Sequence, residues 1–263
     1  MKIQDFLQKK QAKQKITMVT CYDYPKAKII ENTDVDCILV GDSVSMVVHG
    51  HTDTTKATME MMVLHTEAVA RGIKTKFIVA DMPFLSYRKS QHDTISNAQR
   101  LIQAGAHAVK LEGADGNLEI IQHLMQSGVP VMGHLGLTPQ SIHTLGGYKV
   151  QGREDAQAEQ LFNHAKQLEQ AGCFAIVFEC VPFKLATKIT DALQIPTIGI
   201  GAGPDTDGQV LVLHDLLGLQ QDFNPKFAKA YMRGYENCRA AINDYVSEVK
   251  TGKFPELDKH SFK

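Results

Sequence analysis

Four stretches of the chain run apolar and then stop at an acid. Cys37-Ile38-Leu39-Val40 leads through Gly41 to Asp42 and Ser43, and Phe77-Ile78-Val79-Ala80 stops at Asp81. Ala108-Val109-Lys110-Leu111 stops at Glu112, and Phe174-Ala175-Ile176-Val177-Phe178 stops at Glu179. Short apolar runs bounded by turn residues read as strands buried on both faces, the habit of parallel sheets. Residues 16–20, 129–132, 196–201 and 210–213 supply four more strand candidates. Between the strands, apolar positions recur at helical spacing over residues 58–71, 95–104, 118–125, 155–169 and 183–193. Gly72, Gly105, Gly128 and Gly172 each fall between a helix and the next strand, where a left-handed C-cap is needed. Asp23 is placed to cap a further helix opening near Pro25.

Alternating strand and helix imply a parallel sheet, and eight units imply a closed (β/α)8 TIM barrel of the α/β class. The pattern predicts one catalytic domain over residues 1–263, with no linker or change of composition to divide it. A short N-terminal helix over residues 3–11, with Ile3, Phe6 and Leu7 on one face, is placed to plug the bottom of the barrel. An extra C-terminal helix is expected over residues 225–250, with Phe227, Tyr231, Tyr235, Ala241 and Tyr245 near one stripe. The polar stretches 46–55 and 141–152 exceed ordinary strand-to-helix connections, and loops of that length are often functional.

The length of 263 residues suits one such barrel. With 28 basic against 29 acidic residues, no global field would draw the chain to nucleic acid or an anionic membrane. No run approaches a membrane span, and the first seven residues lack the apolar core of a signal peptide. Five cysteines, Cys21, Cys37, Cys173, Cys180 and Cys238, form an odd set with no C-x-x-C pair. They argue against a disulfide framework or a thiolate zinc site, fit a reducing cytoplasm, and read as buried structural thiols.

Parallel strands would gather the four terminal acids at one edge, where barrel enzymes hold their active sites. Asp42 and Asp81 would repel each other there unless one is protonated or a cation sits between them. Magnesium is a natural candidate, because it takes one or two carboxylates and fills its shell with substrate and water. Glu112 is a possible third ligand, direct or through water. Lys110 shares a strand face with Glu112, and either holds a substrate carboxylate or pairs with one of the acids. Glu179 ends an apolar, aromatic strand and is suited either to proton abstraction or to metal ligation. His134, flanked by Gly133 and Gly136, is either a structural histidine or a residue close to a ligand. Ser43 either caps a helix or donates to a substrate carboxylate. The glycines of Gly199-Ile200-Gly201-Ala202-Gly203 allow a phosphate loop or merely close packing.

A second metal pattern exists: His49-x-His51, Lys110, His134 and Asp215 follow the order of ligands in barrel metallohydrolases. It fails on placement, because H-x-H lies past the second strand and the sixth strand ends in Glu179 rather than a histidine.

Taken together, Val40-Gly41-Asp42-Ser43, Ala80-Asp81-Met82-Pro83-Phe84, Val109-Lys110-Leu111-Glu112-Gly113, Gly133-His134-Leu135-Gly136-Leu137-Thr138-Pro139-Gln140, Phe178-Glu179 and Ile198-Gly199-Ile200-Gly201-Ala202-Gly203, continuing to Asp207-Gly208-Gln209-Val210, resemble the ketopantoate hydroxymethyltransferase family across nearly the whole chain. The closing His260-Ser261-Phe262 is similar too, and the departures at residues 56–58 and 204–206 touch no candidate residue. The resemblance implies transfer of a hydroxymethyl group from 5,10-methylenetetrahydrofolate to 3-methyl-2-oxobutanoate through a metal-stabilised enolate, on the route to pantothenate and coenzyme A. It implies Mg2+ on Asp42 and Asp81 with Glu112 a further ligand. Asp42, Ser43, Asp81 and Lys110 would contact the keto acid, His134 would lie near it, and Glu179 would accept the proton. It also implies a cytoplasmic homo-oligomer, a decamer built as a pentamer of dimers, with no nucleic-acid or membrane partner. A magnesium-dependent barrel lyase or aldolase on a related 2-oxo acid, or a barrel that only binds metabolites, are the alternatives.

Overall fold

The computed structural model describes residues 1–221 and 225–262. The chain forms two compact units, Met1–Val212 and Leu213–Lys263.

The first unit is a closed barrel of eight parallel strands in sequence order: β1 (Ile16–Thr20), β2 (Cys37–Val40), β3 (Phe77–Asp81), β4 (Ala108–Glu112), β5 (Val131–Gly136), β6 (Ala175–Glu179), β7 (Thr197–Ile200) and β8 (Gly208–Leu211). β8 pairs with β1 and completes the ring. The helices around it are α1 (Ile3–Gln11), α2 (Tyr24–Glu31), α3 (Val44–Val47), α4 (Met59–Gly72), α5 (Gln91–Gln103), α6 (Leu118–Gln126), α7 (Ile142–Leu145), α8 (Asp155–Gln170) and α9 (Phe183–Ala192). The expected barrel is therefore present. Asp23 caps α2 as anticipated, its carboxylate accepting from the backbone N–H of Lys26 at 2.8 Å.

Several boundaries moved for identifiable reasons. α5 opens at Gln91 rather than residue 95, because Ser90 forms the N-cap, accepting from the backbone N–H of Asp93. β5 runs on to Gly136, so His134 lies within the strand. β8 starts at Gly208, where a Cβ would come within 2.4 Å of the Ile16 carbonyl oxygen; only glycine lets the two backbones approach this closely. Consequently His214 and Asp215 lie past the strand, in α10 (Leu213–Leu216) of the second unit. That unit also contains α11 (Gly234–Lys250) and α12 (Leu257–His260). α11 begins nine residues later than the apolar stripe suggested, since residues 225–233 are non-helical. In that segment the Tyr231 N–H donates to the Leu216 carbonyl and the Gly234 N–H to that of Leu217.

α1 plugs the N-terminal mouth of the barrel. Phe6 is fully buried, with its ring edge-on to Phe77 at 5.3 Å and to Phe174 at 5.1 Å between centroids. Phe77 opens β3 and Phe174 immediately precedes β6, so the cluster sits where the strands begin. Leu7, expected on the same face, is instead exposed. Among the cysteines, Cys21, Cys37 and Cys173 are buried as anticipated, but Cys180 is half-buried and Cys238 exposed.

Candidate active site

Strand alternation and register bring the acids to the opposite, C-terminal mouth. β3 and β4 pair with Asp81 beside Lys110, and β4 and β5 with Glu112 beside His134. In the next pair Gly136 lies beside Glu179. Lys110 and Glu112 share the inward face of β4, as their spacing implied. Asp42, Asp81, Lys110, Glu112 and His134 are each 4 % exposed or less. Glu179 is more open, at 18 % of its side chain.

These side chains form one connected array. The backbone N–H of Asp42 donates to Asp81 Oδ2 at 3.0 Å. Asp81 Oδ1 meets Lys110 Nζ at 2.9 Å, and that ammonium lies 3.2 Å from His134 Nδ1. The imidazole is held between two carboxylates: Nδ1 is 3.3 Å from Glu112 Oε1, and Nε2 is 3.3 Å from Glu179 Oε2. Ser43 stands at the rim, its hydroxyl 2.8 Å from the phenol of Tyr22. Asp42, Ser43, Asp81, Lys110, Glu112, His134 and Glu179 are thus brought together, whereas His49, His51 and Asp215 are not part of the array.

The charges are strongly coupled. Burial pushes the Asp42 carboxyl well up, and the Asp81 and Glu112 carboxylates push it further. Burial also raises Asp81, against the opposing pull of Lys110. Burial would lower Lys110, but Asp81, Glu112 and Asp42 outweigh it and raise the ammonium. Burial opposes ionisation of Glu112 as well, yet His134 and Lys110 hold its carboxyl below the usual range. His134 is raised to about 9: burial and Lys110 work against the imidazolium, and Glu112 and Glu179 prevail. Nε2 of His134 faces Glu179 Oε2 at the open side of the array.

The donor set fits a hard divalent cation. Asp42, Asp81 and Glu112 supply only oxygen, and their buried negative charge exceeds what Lys110 and His134 neutralise once Glu179 is included. A cation beside Asp42 and Asp81 would remove the repulsion that raises Asp42. Among the described residues, no three His, Cys, Asp or Glu side chains converge to hold a metal by themselves. Much of such a shell would come from substrate and water, the arrangement magnesium favours. Both oxygens of Glu112 are already engaged, Oε1 by His134 and Oε2 by the backbone N–H of Gln140 at 3.0 Å.

Two glycines place the array. At Gly41 a Cβ would come within 2.8 Å of Ser43 Oγ, so this glycine allows the tight turn that carries Asp42 and Ser43. At Gly136, with φ +93°, a Cβ would lie 2.2 Å from the Glu179 carbonyl oxygen. The glycines flanking His134 therefore serve close packing, Gly133 against Leu168 of α8 and Gly136 against the Glu179 backbone. Gly203 likewise makes room for Phe183 in the glycine-rich stretch after β7.

Three participants were missed. Gln140 donates from Nε2 to Asp42 Oδ2 at 2.8 Å, and Tyr87 donates its hydroxyl proton to Gln140 Oε1 at 2.7 Å. Asn117 binds the carbonyls of Glu112 and Gly113, each at 2.9 Å. Only Gln140 carried any signal, as the last residue of the motif that begins at Gly133. Both long loops are partly ordered into short helices, and Tyr148 on one reaches Met46 on the other at 3.7 Å. His49 and His51 are exposed, and His49 pairs with His65 rather than with any of the acids, which removes the metallohydrolase pattern.

A family model described as ketopantoate hydroxymethyltransferase matches residues 1–257. The chain belongs to the ketopantoate hydroxymethyltransferase family. Membership makes it a transferase of the pantothenate pathway. It is 60% identical over 263 residues to 3-methyl-2-oxobutanoate hydroxymethyltransferase of Legionella pneumophila strain Paris, covering 100% of both chains. The enzyme of the same name from Bdellovibrio bacteriovorus is 55% identical, over 99% of this chain and 98% of its own. Among solved structures, phosphonopyruvate hydrolase in complex with oxalate and Mg++ superposes with a TM-score of 0.65 at 11% identity, covering 100% of this chain and 92% of that one. That likeness is one of fold. No helix among the described residues is long and apolar enough to cross a membrane.

Proposed function

We propose that this mouth transfers a one-carbon unit from 5,10-methylenetetrahydrofolate to C3 of 3-methyl-2-oxobutanoate, giving 2-dehydropantoate and tetrahydrofolate after uptake of water. The observation that carries the reading is the buried array itself: acids on four strand ends, with Lys110 and His134 between them. Asp42 and Asp81 would hold Mg2+, with Glu112 a further ligand, direct or through water. When bound, the cation draws charge from the 2-oxo group and so acidifies the neighbouring C–H. The solved Mg++ and oxalate complex of the same fold is compatible with such a chelate.

Within that arrangement the protein's own groups have separate tasks. Ser43 and Lys110 turn toward the substrate carboxylate, and Asp42, Asp81 and His134 line the keto acid. Glu179 takes the C3 proton; His134, at 3.3 Å, steadies the carboxylate before transfer. The enolate carbon then attacks the one-carbon unit. The loops linked by Tyr148 and Met46 exclude water from the reacting carbon. The enzyme works in the cytoplasm as a homo-oligomer, a decamer in our reading. Exposed Ile29 of α2 and Leu64 of α4 are apolar surface that subunit contact would cover.

The test is proton–deuterium exchange at C3 of 3-methyl-2-oxobutanoate, followed by NMR in heavy water with and without Mg2+. Metal-dependent exchange, followed by 2-dehydropantoate on adding 5,10-methylenetetrahydrofolate, is expected. No exchange even with tetrahydrofolate present would overturn the reading. Carbon–carbon bond cleavage or formation without folate would place the site with the lyases and aldolases instead.

A further inference from the structure

Gln140 lies in the short turn Pro139–Ser141 that follows β5, and is 5 % exposed. A buried amide must find partners for two N–H bonds and one oxygen. Here all are met. Nε2 donates to Asp42 Oδ2 at 2.8 Å and to the Met82 carbonyl at 3.0 Å. Oε1 accepts from the Tyr87 hydroxyl at 2.7 Å. The backbone N–H of the same residue donates to Glu112 Oε2 at 3.0 Å, and the Tyr87 oxygen accepts from the Glu112 backbone N–H at 3.3 Å.

The orientation of the amide has one solution. The Met82 carbonyl can only accept, so it requires the amide nitrogen on its side. A flipped amide would set Oε1 against both Met82 O and Asp42 Oδ2 and leave two buried acceptors without protons. One residue therefore ties together the ends of β2, β3, β4 and β5, and it does so without adding charge. A lysine or arginine at this place would neutralise Asp42; the amide holds one carboxylate oxygen and leaves the negative charge available.

We infer that Gln140, oriented by Tyr87, is a positioning residue that sets the Asp42 and Glu112 carboxylates for the divalent cation. This rests on the cation reading proposed above. Deleting the amide would leave Asp42 Oδ2 and Met82 O buried without a donor, and Asp42 free to turn away from the cation. Loss of that position weakens cation binding. Removing the Tyr87 hydroxyl removes the anchor on Oε1 and the acceptor of the Glu112 N–H but leaves both donations of the amide in place, so its effect has the same sign and is smaller.

The experiment measures Mn2+ binding to the full-length protein from the EPR signal of free Mn2+, with thermal unfolding recorded on the same samples. The wild-type protein is expected to bind. Q140L is expected to raise the Mn2+ Kd tenfold or more, and Y87F severalfold. In C3 exchange, both variants are expected to raise the Mg2+ concentration needed for half-maximal rate more than they lower the rate at saturating Mg2+. Wild-type affinity in both variants, even with a lower melting temperature, would mean a purely structural role and would overturn the inference. If Q140L does not fold, Y87F decides: a raised Kd supports the inference and an unchanged one overturns it. Absence of Mn2+ binding by the wild type is a different outcome, which removes the cation reading and this inference together.

Discussion

At the N-terminal ends of the strands, Phe6, Phe77 and Phe174 close the barrel with edge-to-face rings. At the C-terminal ends, Asp42, Asp81, Lys110, Glu112 and His134 are buried just as deeply, but through ion pairs and hydrogen bonds. Burial is therefore similar at the two mouths while the energetics differ. Aromatic burial stabilises by area and packing and tolerates little loss of volume. A buried charge array contributes little net stability, because desolvation offsets the attraction, yet it fixes positions closely. The plugged end should carry stability and the charged end chemistry.

The sharpest separation should come from Glu179→Gln. If Glu179 is the proton acceptor proposed above, its loss is expected to slow C3 exchange about 10²- to 10⁴-fold, the usual contribution of a general base. Metal and substrate binding and the melting temperature should change little, since Glu179 touches the array only through His134 at 3.3 Å. Exchange at the parent rate would show that the base lies elsewhere.

Phe6→Ala should give the mirror result. Truncating a fully buried phenylalanine should cost about 3 to 5 kcal/mol in urea unfolding. Exchange per folded molecule should remain at the wild-type level. A variant with wild-type stability but impaired exchange would reverse the division between the mouths.

Asp81→Asn tests whether the charged end is structurally cheap. It removes one partner of a buried pair with Lys110 at 2.9 Å, a change that typically costs about 3 kcal/mol or more. It should also weaken metal-dependent substrate binding, read as a raised half-saturating Mg2+ in the exchange assay. Full stability with lost binding would mean that Lys110 is compensated by other acids alone.

The smallest expected effect lies back at the plugged end. His107 stacks on Phe77, and its Nδ1 accepts from the Ile78 N–H at 2.9 Å, which requires the neutral ring. Burial, helped by the N-terminal ammonium, lowers its pKa. A depressed folded value means the stabilisation is present above the unfolded pKa, about 6.5, and is lost as pH falls toward and through the folded value. His107→Asn keeps an acceptor but does not titrate. Because His107 is partly exposed to solvent, urea unfolding between pH 5 and pH 8 should show only a slightly shallower acid loss for this variant than for wild type, less than the roughly 1 kcal/mol of one hydrogen bond. Identical slopes would mean that His107 does not contribute.

Much of this was legible beforehand because parallel strands obey local rules. An apolar run that stops at an acid marks a strand end wherever it occurs, and a period of two puts Lys110 and Glu112 on one face. Capping was less easily read: Ser90 opened α5 four residues ahead of its apolar pattern. Gly133 and Gly136 suggested close approach of backbone or ligand by type, and the structure shows Leu168 against the first and the Glu179 backbone against the second.

The order of apolar runs, acids and helix-closing glycines determined the barrel, its catalytic edge and which acids would stand there, because backbone geometry and alternation act over a few residues at a time. Partnership was decided only in three dimensions. Nothing local to Gln140 indicates that its amide reaches Asp42, 98 positions away, or that Tyr87 orients it from 53 positions away. The same holds for His134 between Glu112 and Glu179. Which donors satisfy a buried charge depends on the closure of the ring, and closure is a property of all eight strands together.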